Sequence, residues 1–427
     1  MSDYRKSFFS FTSWKQRIVF WAGAIIVGLL ISSMTLVSEW AGQTYRTLSL
    51  DYPWFNFIVA PFGLSFTAWL GMRFFPGSQG SGIPQVKLAL ELQPTLDRSH
   101  LISLRIAVGK TFLPIMGLLS GASVGFGGPA THVGASLMAS LSKIIKFPAH
   151  YTTKGLLLAG SAAGFAAMFS APLAGIMFAI EEMGRTLEER ISSLVLTAII
   201  LAGITAYSLL HTTVFFTDEL LSLPWGEQWL AIPLCGIIGG FLGAVFSKIL
   251  VRGQLAIRKL NLSIILTAFI CGLIIALLGY LSNGESFGTG YQLTRNIIHS
   301  DAPIDPLFPL YKMLATCATF FSGIPSGLFV PAIATGAGIG SNLADWFPIA
   351  PTSIMILLSI TAYFSGMLQS PFTAFVVVLE MTHSHEISIP IMAAAFLATG
   401  TAQIINPKPL YRALCDNYTT KDKTADD

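Results

Sequence analysis

Charged residues are scarce in this chain. The 25 Lys and Arg and 22 Asp and Glu among 427 residues make it 11% charged, against roughly 25% in soluble domains. The net charge of +3 is too small and too scattered to predict nucleic-acid binding. Hydrophobic residues make up 53% of the chain, and the mean hydropathy is +0.66. The composition predicts a membrane protein, long enough for ten or more spans of about 20 residues.

Cysteines are few as well. Cys235, Cys271, Cys317 and Cys415 stand apart, mostly within apolar runs. This spacing predicts neither a disulfide framework nor a metal site, and each cysteine is expected to be a small buried residue. Because no hydrolase nucleophile, nucleotide loop or metal cluster occurs in a plausible context, we expect no enzymatic activity and no cofactor.

Apolar runs of uneven length follow one another along the chain. Several are too short or too broken by glycine to be simple spans, which predicts tilted or re-entrant helices. The first run continues without a small-residue cleavage pattern, so it indicates a membrane helix and not a signal peptide. The runs centre near 18–38, 54–75, 101–121, 154–181, 192–215, 228–251, 262–281, 307–321, 352–380 and 389–405.

Positive residues flank both ends of the apolar region. By the positive-inside rule, both termini are expected in the cytoplasm. The flanking residues are Arg5, Lys6, Lys15 and Arg17 before the first run, and Lys408, Arg412, Lys421 and Lys423 after the last.

Three glycine-rich strings, at 80–84, 125–129 and 327–331, interrupt apolar stretches. Backbone without helical pairing is tolerated at membrane depth only where protein buries it or where it lines a watery cavity. A helix that begins at such a break aims free N–H groups and its positive dipole end at one point. Three converging breaks would form an anion site without any fixed positive charge, as in the broken helices of transporters.

The two halves of the chain resemble each other. Residues 171–181 align with 370–380 after a shift of 199 residues, and 125–134 align with 327–336 after a shift of 202. Similarity of composition alone is the alternative, but two matched blocks at nearly the same shift argue against it. The pattern predicts an all-α polytopic membrane protein with two repeats, roughly 18–215 and 228–411, and the substrate between them.

These strings resemble the CLC family of chloride channels and chloride/proton antiporters, in the family's order and with similar spacing. The matching segments are 80–84, 125–134, 171–183, 327–331 and 408–411. The resemblance implies two inverted repeats of tilted and re-entrant helices, a homodimer with one pore per subunit, and a bacterial inner membrane. It also implies a single transmembrane domain over 1–427 without the family's cytoplasmic regulatory pair, since only sixteen residues follow Tyr411.

The resemblance assigns a central anion site to four residues. Ser81 and Tyr411 match the family's two hydroxyl donors to bound chloride, and the amides of Leu328 and Phe329 match the pair that completes the site. Serine at position 81 implies chloride, because family members that prefer nitrate carry proline there and fluoride exporters carry methionine. The alternatives are a serine that merely starts a helix and a tyrosine that anchors the chain at the membrane interface.

The outer anion site departs from the family pattern. The amides of Phe126, Gly127 and Gly128 match those around this site, but most members read Gly-Arg-Glu-Gly-Pro where this chain reads Gly-Phe-Gly-Gly-Pro. The family's glutamate acts as gate and outer proton carrier, and glycine can do neither. We therefore predict passive chloride conduction, by a channel or an uncoupled uniporter. The alternatives are a chloride/proton antiporter with an unrecognised proton acceptor and, less favoured, an anion receptor that does not transport.

Ionisable residues inside apolar segments are functional candidates. Lys110 matches a family lysine that makes the pore potential more positive, although its stem can also snorkel to the surface. Glu182 matches the inner proton-relay glutamate, with a structural role as the alternative. His132 is either a pH sensor or a packing residue. Glu181 and Glu380 are expected to be buried or interface carboxylates with hydrogen-bond partners.

Overall fold

Seventeen α-helices and no β-strand make up the regular secondary structure of the residues that the computed structural model describes. Those residues are 11–92, 97–145, 153–184, 193–210, 221–299, 304–382 and 384–425. The prediction of an all-α polytopic membrane protein is confirmed. Arg5 and Lys6 lie outside the described residues.

Helices α1 to α8 belong to the first half of the chain, and α9 to α17 to the second half. The first eight are α1 Phe11–Asp51, α2 Asn56–Phe74, α3 Ile83–Glu91, α4 Leu104–Leu118, α5 Gly127–Ile144, α6 Thr153–Phe169, α7 Pro172–Phe178 and α8 Ser193–Leu210. The others are α9 Ala231–Lys259, α10 Ile264–Leu281, α11 Tyr291–His299, α12 Phe308–Phe321, α13 Phe329–Trp346, α14 Thr352–Leu368, α15 Pro371–Thr382, α16 Ser388–Ile405 and α17 Leu410–Ala425.

Only some of these helices are long and apolar enough to cross a membrane alone. Helices α3 and α11 have nine residues each and reach about 13 Å at 1.5 Å per residue, less than half of a bilayer core. The expectation of uneven spans is therefore confirmed. The six candidate spans among the described residues are Trp14–Asp51, Pro53–Phe74, Ser193–Leu210, Glu227–Lys259, Ile264–Leu281 and His385–Ile405.

Helices of the second half repeat those of the first. Helices α6 and α14 begin and end 199 residues apart, and α5 and α13 begin 202 residues apart. Ser170 and Gln369, which follow α6 and α14, both have a left-handed backbone, with φ of 50° and 60°. A proline-led helix starts two residues after each. The shifts found in the sequence thus recur in the helices, while the repeat boundaries 18–215 and 228–411 stay a prediction.

Two glutamates tie the halves together reciprocally. Glu380 at the end of α15 accepts hydrogen bonds from the N–H groups of Leu173 at 3.0 Å and Ala174 at 2.7 Å, in the first turn of α7. Glu181, after α7, accepts from the N–H of Thr373 at 2.6 Å, in the first turn of α15. A carboxylate at a helix start satisfies free N–H donors and complements the dipole. The predicted hydrogen-bond partners of both carboxylates are confirmed.

Small residues let α5 and α6 pack with their backbones in contact. A Cβ added at Gly134 would overlap the Gly160 carbonyl, and one added at Gly164 would overlap the Ala130 carbonyl. Such close approach is typical of helix contacts in membranes. It fixes α5, whose first residues belong to the site described below. The four cysteines are buried, as predicted for small apolar side chains.

Candidate anion-binding site

Two helix starts are joined by their preceding loops. The N–H of Gly125 donates to the Gly327 carbonyl at 2.9 Å, and the N–H of Gly327 donates to the Gly125 carbonyl at 2.8 Å. A Cβ at Gly327 would lie 2.5 Å from the Gly125 carbonyl oxygen. Glycine therefore permits the close approach of the two loops, which sets the starts of α5 and α13 side by side.

The joined helix starts present amide donors. The first N–H groups of an α-helix have no partner within the helix, and proline at 129 and 331 limits these donors to the residues just before it. The amides concerned are those of Phe126, Gly127, Gly128, Leu328 and Phe329, the two sets that the resemblance assigns to the outer and central sites. Both positive dipole ends therefore act on neighbouring space, which favours an anion.

A third helix start lies against the start of α5. Helix α3 follows Gly82, whose φ of 100° is a conformation that favours glycine. A Cβ at Gly128 would overlap the hydroxyl and carbonyl oxygens of Ser81. Ser81 therefore lies directly against the first turn of α5.

The hydroxyls of Ser81 and Tyr411 are buried donors at this junction. Ser81 is 3% exposed and Tyr411 is 1% exposed, and the two side chains lie close enough to interact with each other. Neither hydroxyl, however, forms a hydrogen bond of good geometry with any described group. A buried hydroxyl without a partner costs about 1–3 kcal/mol. An anion that accepts from both hydroxyls would remove that cost.

Phe329 fills the space beside Gly127. Its ring packs edge-on against those of Phe364, at 5.2 Å between centroids, Phe165, at 5.4 Å, and Tyr411, at 5.9 Å. A Cβ added at Gly127 would overlap this ring. The packing around residue 127 therefore suits glycine, because no side chain fits there unless the Phe329 ring moves.

Lys110 supports the loop that carries Ser81. Its side chain is fully buried, and Nζ donates to the carbonyls of Ser78 at 2.8 Å and Gly80 at 2.9 Å. The snorkelling alternative is therefore wrong. These hydrogen bonds fix the loop before α3, while the role of Lys110 in the pore potential stays a prediction.

Lys312 has the same role in the second half, and the sequence analysis missed it. Its buried Nζ donates to the carbonyls of Ser286 at 3.1 Å, Phe287 at 3.2 Å and Gly288 at 2.8 Å. The sequence repeat could have identified it, because Lys312 lies 202 residues after Lys110, and the glycine-rich strings show the same shift.

Glu182 is held by a cation that the sequence analysis did not single out. Lys87 Nζ lies 2.5 Å from Glu182 Oε1, and the Ser370 hydroxyl donates to Oε2 at 3.0 Å. The carboxylate is buried, whereas Lys87 is partly exposed. The arrangement favours the structural alternative over the proton relay.

Both ring nitrogens of His132 are occupied. Nε2 lies 2.8 Å from the Leu101 carbonyl oxygen, to which it can only donate, and Nδ1 lies 3.3 Å from the Ser136 hydroxyl oxygen. With Nδ1 as an acceptor, the neutral ring satisfies both contacts. The fully buried ring packs beside Gly82, which favours the packing interpretation over the sensor.

Comparisons with known proteins agree with this architecture. The H(+)/Cl(−) exchange transporter ClcA of Yersinia pestis is 28% identical over 429 residues, covering 94% of this chain and 87% of that protein. The ClcA of Vibrio vulnificus is 29% identical over 391 residues, covering 87% and 81%. The crystal structure of a slow cyanobacterial Cl⁻/H⁺ antiporter superposes with a TM-score of 0.81 at 23% identity, covering 95% of this chain and 99% of that one. The family model for voltage-gated chloride channels matches residues 63–403, and the chain therefore belongs to the CLC family.

Proposed function

We propose that this protein transports chloride across the membrane through the site at the starts of α3, α5 and α13. The observation that carries the proposal is the pair of buried, unpartnered hydroxyls of Ser81 and Tyr411 beside two joined helix starts. Neutral donors and helix ends suit a monovalent anion that must bind and also leave. The candidate membrane-spanning helices support a position of the site within a bilayer.

We also propose that chloride moves in exchange for protons. The support is the similarity to H(+)/Cl(−) exchange transporters over almost the whole chain, which favours the alternative of the sequence analysis over passive conduction. Since Gly127 carries no carboxylate, exchange requires another outer proton acceptor. Passive conduction is the second candidate, and the absent gate together with the Lys87–Glu182 ion pair favours it.

A flux assay on purified protein in liposomes distinguishes the two candidates. The assay starts with a high chloride concentration outside the liposomes and equal pH on both sides. Exchange predicts that chloride flowing inward drives protons outward, and that this outward movement continues against the proton gradient it produces. The reversal potential under opposing chloride and pH gradients would then depend on both ions. Chloride flux without proton movement would establish passive conduction, and no chloride flux would contradict transport altogether.

The assembly and orientation are part of the proposal. We propose a homodimer in the bacterial inner membrane with both termini in the cytoplasm and no enzymatic activity, as the family resemblance implies. Cross-linking of the protein in membranes and protease accessibility of each terminus in oriented vesicles test these points.

A further inference from the structure

Helix α1 carries a carboxylate within its candidate membrane span. Glu39 lies within the apolar span Trp14–Asp51 and is partly buried. Its Oε1 accepts a hydrogen bond from the Thr289 hydroxyl at 2.6 Å. A carboxylate in a membrane segment is costly unless it has a function or a partner, and neither the chloride site nor the helix caps use Glu39.

The loop that binds Glu39 is built like the loop of the chloride site. Loop 80–82 reads Gly-Ser-Gly, and loop 288–290 reads Gly-Thr-Gly. The glycines have φ of 72° and 100° in the first loop and 69° and 88° in the second. A buried lysine binds the carbonyls at each loop, Lys110 for the first and Lys312 for the second. A short helix of nine residues follows both loops.

The hydroxyls of the two loops differ in one respect. The Ser81 hydroxyl has no partner of good geometry, whereas the Thr289 hydroxyl accepts from the Tyr291 N–H at 3.1 Å and donates to Glu39. The Glu39 carboxylate thus accepts from the loop hydroxyl in the second half, as the proposed anion would accept from the Ser81 hydroxyl in the first. An ionised carboxylate fits a cradle of this type because it is itself an anion.

The cradle opens toward the outer anion site. One cavity is lined by Glu39 and Thr289 and also by Phe126 and Val330, which belong to the starts of α5 and α13. Arg295 lines the same cavity and adds a positive charge. Glu39 therefore gains or loses its proton in a cavity that also borders the residues of the outer anion site.

Several charged or titratable groups face Glu39, and the cations among them decide what its protonation does. The starts of α5 and α13 and the ends of α6 and α8 contribute only apolar residues to the cavity, namely Phe126, Val330, Met168 and Leu210. The charged or titratable groups are Lys312 on α12, Arg46 on α1, Tyr291 and Arg295 on α11, and Glu285 before α11. An ionised Glu39 neutralises part of this positive charge, and a protonated Glu39 leaves it free to attract chloride.

We propose that Glu39 is the outer proton-binding carboxylate of this protein, the group that Gly127 lacks. The step is a proton transfer from water to a carboxylate oxygen and back, with no other bond made or broken. Chloride binding and proton binding then favour each other, and the linkage is reciprocal. This inference rests on the proposed exchange, and the experiment below separates the failure of one from the failure of the other.

The test compares the unmodified protein with Glu39→Gln, Thr289→Val and, as a matched control, Asp51→Asn, which removes an exposed carboxylate at the end of the same helix. In the unmodified protein, chloride binding by calorimetry is expected to tighten about ten-fold from mildly alkaline to mildly acid buffer, a coupling usual for linked sites, with proton uptake. Glu39→Gln is expected to bind chloride equally at both pH values and to lose proton transport while chloride flux continues. Asp51→Asn should behave as the unmodified protein.

Thr289→Val keeps the inference testable if Glu39→Gln does not fold. It removes one donor to the carboxylate, so the pH of half-maximal proton uptake should rise. An unchanged midpoint in that variant would overturn the inference. Proton transport or pH-dependent chloride binding that persists in Glu39→Gln would also overturn the inference. Chloride/proton exchange would then still hold, with another residue as the proton acceptor. If the unmodified protein moves no protons but Glu39→Gln abolishes its pH-dependent binding, exchange fails and Glu39 remains the proton site.

Discussion

The donors of the proposed chloride site are mostly neutral, and the hydroxyl of Tyr411 is one that can be removed without changing the shape of its side chain. The ring packs edge-on against Phe329 at 5.9 Å, a contact that phenylalanine at 411 would keep. A substitution to phenylalanine therefore isolates the hydrogen bond, whereas alanine would also open a cavity in an aromatic cluster.

Tyr411→Phe is expected to weaken chloride binding while flux continues. A hydrogen bond to a charged group contributes about 1.5–3 kcal/mol, so the dissociation constant should rise about ten-fold or more. Calorimetry on the purified protein measures this change. Tyr45→Phe is the matched control, because Tyr45 is also buried with an unpartnered hydroxyl but belongs to α1. Undiminished affinity in Tyr411→Phe would place its hydroxyl outside the site.

At the scale of helices and loops, the sequence predicts the glycine-rich breaks well, because glycine and proline act on the backbone where they stand. The strings at 125–129 and 327–331 could thus be assigned to helix starts. The partners of Glu182 and Glu39 could not be predicted. Lys87 and Thr289 lie 95 and 250 residues away from them in the chain, and only the packing of whole helices decides which side chains meet.

The two loop-binding lysines provide a test at this scale. Lys110→Met removes the Nζ hydrogen bonds to three loop carbonyls, those of Ser78, Gln79 and Gly80. Loss of this support should displace Ser81, lower the melting temperature of the detergent-solubilised protein and weaken chloride binding about ten-fold or more, as expected when a buried hydrogen-bonded charge is lost.

Lys312→Met is the matched comparison for Lys110→Met. It removes the same number of hydrogen bonds and should lower the melting temperature similarly, but its loop does not carry Ser81. Chloride affinity at alkaline pH should change much less in Lys312→Met. Equal loss of affinity in both variants would show that general destabilisation, and not the position of Ser81, explains the effect of Lys110→Met.

At the scale of the whole molecule, two halves with one plan hold different groups at corresponding places. The first half leaves the Ser81 hydroxyl available to an anion, and the second half binds the Glu39 carboxylate with Thr289. Between them, Gly127 and the ring of Phe329 occupy the place of the gate. If Glu39 on α1 binds the outer proton, a glutamate introduced at 127 would be a second carboxylate near the chloride path. It would compete with chloride for the outer anion site.

Gly127→Glu tests this arrangement. Because a Cβ at 127 overlaps the Phe329 ring, the ring must turn, and the new carboxylate can then reach the free amides at the start of α5 and exclude chloride. Chloride flux in liposomes should fall at neutral pH and recover in acid, where the carboxyl group is uncharged. Glutamine at 127 has the size of glutamate but does not titrate, so chloride flux through Gly127→Gln should not recover in acid. Equal acid recovery in both variants would mean that the side chain at 127 acts only by its bulk, and that the outer site does not lie at the start of α5.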